Sequence, residues 1–182
     1  YSSNYRDRLS GQNSRELATR AYQECMNFIR DFDTEHGNLL LFGNTGIGKT
    51  FLSHCIAKEV MDSLHSVLYL TASEFFDALL EKALNRNDES CLLYEQIHLC
   101  DLLIIDDLGT ELTNSFVSSQ LFLCLNERIM RRKSTIISTN LTLKNFSDTY
   151  SERTFSRIAS NYQMISLIGK DIRIQKIFLG GN

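Results

Sequence analysis

The sequence has no proline and no tryptophan, and it contains no internal repeat or low-complexity tract. Proline-rich linkers and repeat arrays are thereby excluded, although nothing in the sequence accounts for the complete absence of proline. No apolar run approaches the length that spans a bilayer, and no basic, apolar, small-residue leader is visible. The expectation is a cytoplasmic protein with no membrane partner. The five cysteines (Cys25, Cys55, Cys91, Cys100, Cys124) are widely spaced and form no CxxC pair, so buried free thiols are expected rather than disulfides or a zinc site. The four histidines (His36, His54, His65, His98) lack ligand spacing as well.

What is present suits one soluble α/β domain. The 182 residues are 43% hydrophobic and 23% charged, enough to build a substantial core. Charge is unevenly distributed: residues 1–125 carry 9 basic and 18 acidic side chains, residues 126–182 carry 10 and 4. A net positive C-terminal third suits a face for nucleic acid or phosphate, or equally a solvated basic surface. Residues 1–13 are polar and aperiodic and begin with Tyr1, as expected of a linker remnant from a longer protein; residues 14–182 are then the domain.

Periodicity gives the order of elements. Leu17, Ala21, Cys25, Phe28 and Ile29 recur at helical spacing over 14–32, followed by a turn at Asp33–Gly37 and a strand at Asn38–Phe42. A helix runs to about Ser63, and Ser66–Leu70 reads as a second strand. Thr71 or Ser73 caps the next helix, with Phe75, Phe76, Leu79, Leu80 and Ala83 as its apolar positions. A short helix over Cys91–Leu99 leads into the strand Asp101–Asp107, an apolar run closed by acids. The helix near Asn114–Arg132 buries Val117, Leu121, Cys124, Leu125 and Ile129; then come a strand at Thr135–Asn140, a loop, a helix around Tyr150–Ala159 and a strand at Met164–Ile168. Five strands alternating with helices predict a mostly parallel sheet flanked by helices.

The most informative stretch is Gly43-Asn44-Thr45-Gly46-Ile47-Gly48-Lys49-Thr50, a GxxxxGK[ST] pattern between a strand and a helix that starts with Phe51. Gly43, Gly46 and Gly48 let backbone N–H groups converge on an anion at the positive end of that helix. Lys49 would reach the β- and γ-phosphates of a nucleotide, and the Thr50 hydroxyl would ligate Mg²⁺. Asp106, at the carboxyl end of its strand, is the expected partner of Mg²⁺ through its water shell. Asp107 is the candidate to orient or deprotonate the attacking water, and Asn140 is a candidate sensor of the γ-phosphate or that water. Burying both acids without a cation would be costly, which favours a metal. Asp106–Gly109 also fits the DxxG pattern of GTPases, but no NKxD sequence is present to read guanine, so ATP is preferred.

Together, GNTGIGKT, LLIIDDLGTE, TIISTNL and SERTFSRI resemble the ATPase domains of bacterial replicative helicase loaders of the DnaC/DnaI type, within the AAA+ family of P-loop NTPases; the transposition helper IstB is a near relative. The resemblance covers residues 14–178. It implies that Lys49 and Thr50 are the Walker A pair, Asp106 the Walker B acid and Asn140 sensor 1. Asp107 stands where many AAA+ proteins carry glutamate, one methylene longer, so slow hydrolysis by the isolated domain is expected. The resemblance further makes Arg157 the arginine finger acting in a neighbouring copy, with Arg153 as the nearby alternative, and Arg173 a candidate sensor 2. A C-terminal lid domain is not expected.

The implied partners are a replicative DNA helicase, bound mainly through an N-terminal domain, single-stranded DNA, and further copies of this chain at a shared ATP site. Lys82 and Arg86 with Phe75 and Phe76, and the Arg131-Arg132-Lys133 cluster, are the candidate DNA contacts, against the alternative that they are core aromatics and solvated charges. Two other functions fit the same loop: an IstB-like partner of a transposase, and a small metabolite kinase, for which no acceptor site is legible.

Overall fold

The computed structural model describes residues 14–84 and 88–169. Its elements are α1 (Ser14–Arg30), α2 (Phe32–Glu35), β1 (Leu39–Phe42), α3 (Lys49–Asp62), β2 (Val67–Thr71), α4 (Ala72–Ala83), α5 (Asp88–Leu99), β3 (Leu102–Leu108), α6 (Ser115–Met130), β4 (Ser134–Thr139), α7 (Leu143–Tyr150), α8 (Glu152–Asn161) and β5 (Gln163–Ser166). The strands form one sheet in the order β2-β3-β4-β1-β5, and every ladder is parallel. Among the described residues no helical unit follows β5.

Alternation along the strands divides the core into two layers. Leu40, Leu103, Ile105 and Ile137 face a layer built from α4, α5, α6, α7 and α8. Leu39, Leu41, Leu102, Ile104 and Ile136 face the other, where α1 and α3 pack. Both faces of β1, β3 and β4 are thus buried; β1 and β3 are accordingly near-continuously apolar, whereas β4 flanks Ile136 and Ile137 with the buried hydroxyl residues Ser134, Thr135, Ser138 and Thr139. The chain leaves β1 through α3 and passes over β4 and β3 to reach β2 at the sheet edge. The carboxyl ends of β1, β4 and β3 therefore stand side by side, with the start of α3 above them.

Thr71, not Ser73, caps α4, and its hydroxyl and Glu74 form a reciprocal capping box. Leu80 and Ala83 face outward, while Ala72 and Ala78 join Phe75, Phe76 and Leu79 inside. The segment expected to be a loop before Tyr150 contains α7. Thr142 caps it, Phe146 and Tyr150 are buried, and Ser151 (φ 84°) breaks the chain before capping α8. The apolar signal for α7 is only two turns long and resembles a loop in isolation. Cys25, Cys100 and Cys124 are buried as expected, but Cys55 is exposed and Cys91 half-buried; all are free thiols.

Arg128 on α6 is the largest departure from the expected core. It is 0% exposed, and its Nε donates to Thr135 Oγ1 (3.0 Å). Nη1 donates to the Ile97 carbonyl (2.7 Å) and Cys100 Sγ (3.4 Å), and Nη2 to the carbonyls of Cys100 (3.2 Å) and Ser134 (2.6 Å). All five guanidinium N–H donors are used. The cation sits at the carboxyl end of α5, where the helix dipole favours positive charge, and joins α5, α6 and β4.

At the opposite end of the sheet from the carboxyl ends, Asp101 accepts from Lys133 Nζ (2.8 Å), Ser66 N (2.9 Å) and Ser66 Oγ (2.7 Å). Partial burial opposes its ionisation, but these donors hold the carboxyl well below the usual range.

Candidate nucleotide site

A cleft of about 460 Å³ opens at the carboxyl ends of the central strands, lined by Thr45, Gly46, Gly48, Lys49, Thr50, Phe51, Asp107 and Asn140. Its floor is the loop 43–48. Gly43 has φ 143°, and a Cβ there would stand 2.1 Å from the Leu167 carbonyl oxygen, so only glycine fits. Gly46 and Gly48 also have positive φ, at 75° and 101°. Gly48 is the N-cap of α3 and has no side chain to occupy the first N–H groups of the helix, which stay available to an anion.

Lys49 is only 4% exposed. Its ammonium donates to the carbonyls of Gly43 and Asn44 (2.8 Å each) and to Asn140 Oδ1 (2.5 Å). The strand order accounts for the last contact: Phe42 pairs with Thr139, so Asn140 emerges beside the loop that follows β1. Lysine only donates, so the Asn140 amide turns its oxygen to Lys49 and its NH₂ away.

One strand further on, the Thr50 hydroxyl lies 3.0 Å from Asp106 Oδ2 and 3.4 Å from Oδ1. Asp106 also accepts from the Tyr69 hydroxyl on Oδ2 (2.8 Å) and from the Ser138 hydroxyl on Oδ1. Tyr69 and Ser138 have no sequence signature as site residues. Only strand register places them here, and neither alternation nor motif spacing encodes register. Burial, followed by the hydrogen bond to Asp106, pushes the Tyr69 phenol well above its ordinary range, so it stays a donor.

Asp107 reaches the cleft, and not the core on the face opposite Asp106, because β3 carries a bulge. Register runs Ile105↔Ile137 and resumes at Leu108↔Thr139, so two residues of β3 oppose Ser138. Asp106 keeps the parity of Leu102 and Ile104 and faces α3. Regular alternation would send Asp107 into the opposite core, but Leu108 occupies that layer. Asp107 instead adopts φ 56°, donates its N–H to Ser138 Oγ (2.9 Å) and is exposed at the cleft. The expectation of two buried acids therefore needs correction. One acid is buried, and three hydroxyls stabilise its charge, so burial cost alone does not demand a cation. The donor set still fits Mg²⁺, because a hydroxyl and a carboxylate within reach of each other are the hard oxygens it prefers.

Of the other expected site residues, Asn44 contributes its carbonyl and Ile47 packs partly into the core beneath the loop. Phe51 is 70% exposed at the cleft rim. Arg157, on α8, is half-buried and outside the cleft lining, and its carbonyl accepts from Asn161 Nδ2 (2.8 Å). Arg153 lies over the Phe122 ring at 4.0 Å. Arg173 and Arg86 lie outside the described residues.

The expected basic face is weaker than its sequence suggests. Arg128 is buried, Arg131 pairs with Glu127 (2.8 Å) and Lys133 with Asp101 (2.8 Å). Phe75 and Phe76 are core residues with no face for a base. Lys82 donates to Cys91 Sγ (3.2 Å). Among the described residues no cluster of His, Cys, Asp and Glu is arranged for a metal ion, and no helix is long and apolar enough to cross a membrane.

The chain has relatives among known proteins. The family model described as IstB-like ATP binding protein matches residues 9–175. The chain is 31% identical over 149 residues to a putative insertion sequence ATP-binding protein, y4pL, of Sinorhizobium fredii, covering 79% of this chain and 59% of that protein. It is 23% identical over 155 residues to the replicative helicase loader DnaC of Escherichia coli, covering 85% and 61%. It thus spans about three fifths of the length of these relatives. In fold it resembles the crystal structure of the DnaC helicase loader (TM-score 0.74, 20% identity, 84% of this chain and 90% of that one). The crystal structure of DnaI is similar (TM-score 0.71, 22% identity, 83% and 85%). The fold is that of a P-loop NTPase, and the chain belongs to the family of IstB-like ATP binding proteins.

Proposed function

We propose that this chain is the ATP-binding and ATP-hydrolysing AAA+ domain of a replicative helicase loader, acting in the cytoplasm in the primosome step of DNA replication. The observation that carries the ATPase reading is the convergence of Lys49, Thr50, Asp107 and Asn140 on one cleft, with Asp106 behind Thr50. The loader reading rests on the likeness to DnaC and DnaI.

In this reading the loop 43–48 and the start of α3 hold the phosphates. Lys49 exchanges its carbonyl contacts and Asn140 for the β- and γ-phosphates, freeing the Asn140 amide to bind the γ-phosphate or the attacking water. Thr50 and Asp106 hold Mg²⁺, which when bound neutralises charge on the phosphates. Asp107, projecting from the bulge, orients the water and takes its proton. Its short side chain makes hydrolysis slow in the isolated domain. Arg157 lies outside its own cleft and acts in the site of a second copy, while Arg173 is a candidate sensor in its own. The partners are a replicative helicase, single-stranded DNA and further copies of this chain.

A second reading, an IstB-like transposition helper acting on duplex DNA, is favoured by the match to the insertion sequence protein. ATP hydrolysis measured alone, with single-stranded DNA and cognate helicase, and with duplex DNA and transposase separates the two. Stimulation by the first pair is expected, and stimulation by the second alone would favour the helper. Arg157→Ala should leave ATP binding intact and abolish the stimulated rate; normal hydrolysis by that variant in the assembled complex would refute the shared site.

A further inference from the structure

We propose that Tyr69 is a positioning residue for the divalent metal of this site, its hydroxyl fixing the carboxylate of Asp106 from the edge strand β2. This rests on the Mg²⁺–ATP reading of the cleft. The terminal torsion of an aspartate is broad, so the backbone of β3 sets where the Asp106 carboxylate lies but not how its plane is turned. Donors on both oxygens set the plane. Ser138 holds Oδ1 from β4 on one side, and Tyr69 holds Oδ2 at 2.8 Å from β2 on the other. Thr50 donates to the same Oδ2 at 3.0 Å, so the hydroxyl proposed to ligate the metal and the phenol share one carboxylate oxygen.

The phenol is itself held. Its ring stacks on His54, with centroids 4.4 Å apart and planes 30° apart. His54 Nδ1 lies 2.8 Å from the Thr50 carbonyl, an acceptor, and so carries the proton. Thr50, Asp106, Tyr69 and His54 therefore form a closed ring of contacts, and a tilt of the carboxylate disturbs the Thr50 hydroxyl directly. The Tyr69 ring packs against the core layer of α1 and α3, whereas its hydroxyl serves the carboxylate. Phenylalanine would keep the first role and lose the second.

The test is Tyr69→Phe, read by binding of a fluorescent ATP analogue over a range of Mg²⁺ concentrations and in EDTA. The Mg²⁺ concentration needed for half-maximal enhancement of binding should rise about tenfold or more, as for other residues that orient a metal-binding carboxylate. Affinity in EDTA and the melting temperature should stay close to wild type, which a merely structural role would not allow. His54→Ala, at an exposed position, keeps the hydroxyl but frees the ring; it should shift the Mg²⁺ requirement the same way by less, and it serves if the first variant misfolds. Asp106→Asn is the control. If it retains wild-type Mg²⁺ dependence, the metal reading fails and the role of Tyr69 with it. If Asp106→Asn loses that dependence while Tyr69→Phe and His54→Ala keep it, the role of Tyr69 alone is overturned.

Discussion

Lys49→Ala should weaken ATP binding by about a hundredfold or more while leaving adenosine binding and the melting temperature nearly unchanged. The ammonium is buried at the floor of the cleft and donates to two loop carbonyls and to Asn140. It is thus already held where the β- and γ-phosphates would arrive, and little rotamer entropy remains to be lost on binding. A charge-assisted hydrogen bond contributes about 1.5–3 kcal/mol, and two such bonds to phosphate oxygens correspond to two or more orders of magnitude in affinity. Removing the side chain should cost the fold little, because Gly43 is only half-buried and Asn44 exposed, so water can reach the carbonyls that lose the ammonium. Isothermal titration with ATP, ADP and adenosine provides the measurement. A change below about fivefold for ATP would mean that the phosphates do not lie in the loop 43–48.

Arg128→Leu should destabilise the fold by about 3–5 kcal/mol, far more than replacement of an exposed arginine, because the guanidinium is fully buried and fully hydrogen-bonded. The substitution strands the buried carbonyls of Ile97, Cys100 and Ser134, at about 1–3 kcal/mol each, partly offset because the cation no longer needs to be desolvated. For a chain of this size the melting temperature should fall by about 6–20 °C. Arg128→Lys should recover only part of this, since an ammonium has three donors where the structure uses five. Urea denaturation would show the loss as a lower midpoint with unchanged slope. A loss under about 1 kcal/mol would mean that the carbonyls find other partners.

Much of the fold was legible from local pattern. Continuous apolar runs at 39–42 and 102–105, and the β-branched stretch Thr135-Ile136-Ile137, are what strands buried on both faces require, and their alternation with amphipathic helices implied parallel pairing. Ends differ by one to three residues, and the short helices α2 and α7 escape the reading because one or two turns of helix carry little periodic signal. The loop 43–50 was legible for a stronger reason: tight turns and close backbone approach demand glycine at particular positions, and Gly43 against Leu167 is such a case. Arg128 was not legible. Its position at the end of an amphipathic helix resembles that of any solvated arginine, and only the docking of α5 and β4 around it makes it a core residue.

The sequence by itself determined that a phosphate-binding loop joins a strand to a helix in a parallel α/β domain, because glycine spacing and hydrophobic period are local properties. Tertiary structure decided which polar groups meet. Strand order put Asn140 against Lys49, a bulge in β3 kept Asp107 out of the core and at the cleft, and register brought Tyr69 and Ser138 to one carboxylate. A one-residue shift along β3 would reverse the face of every side chain beyond it, so these contacts arise only when the whole sheet has formed.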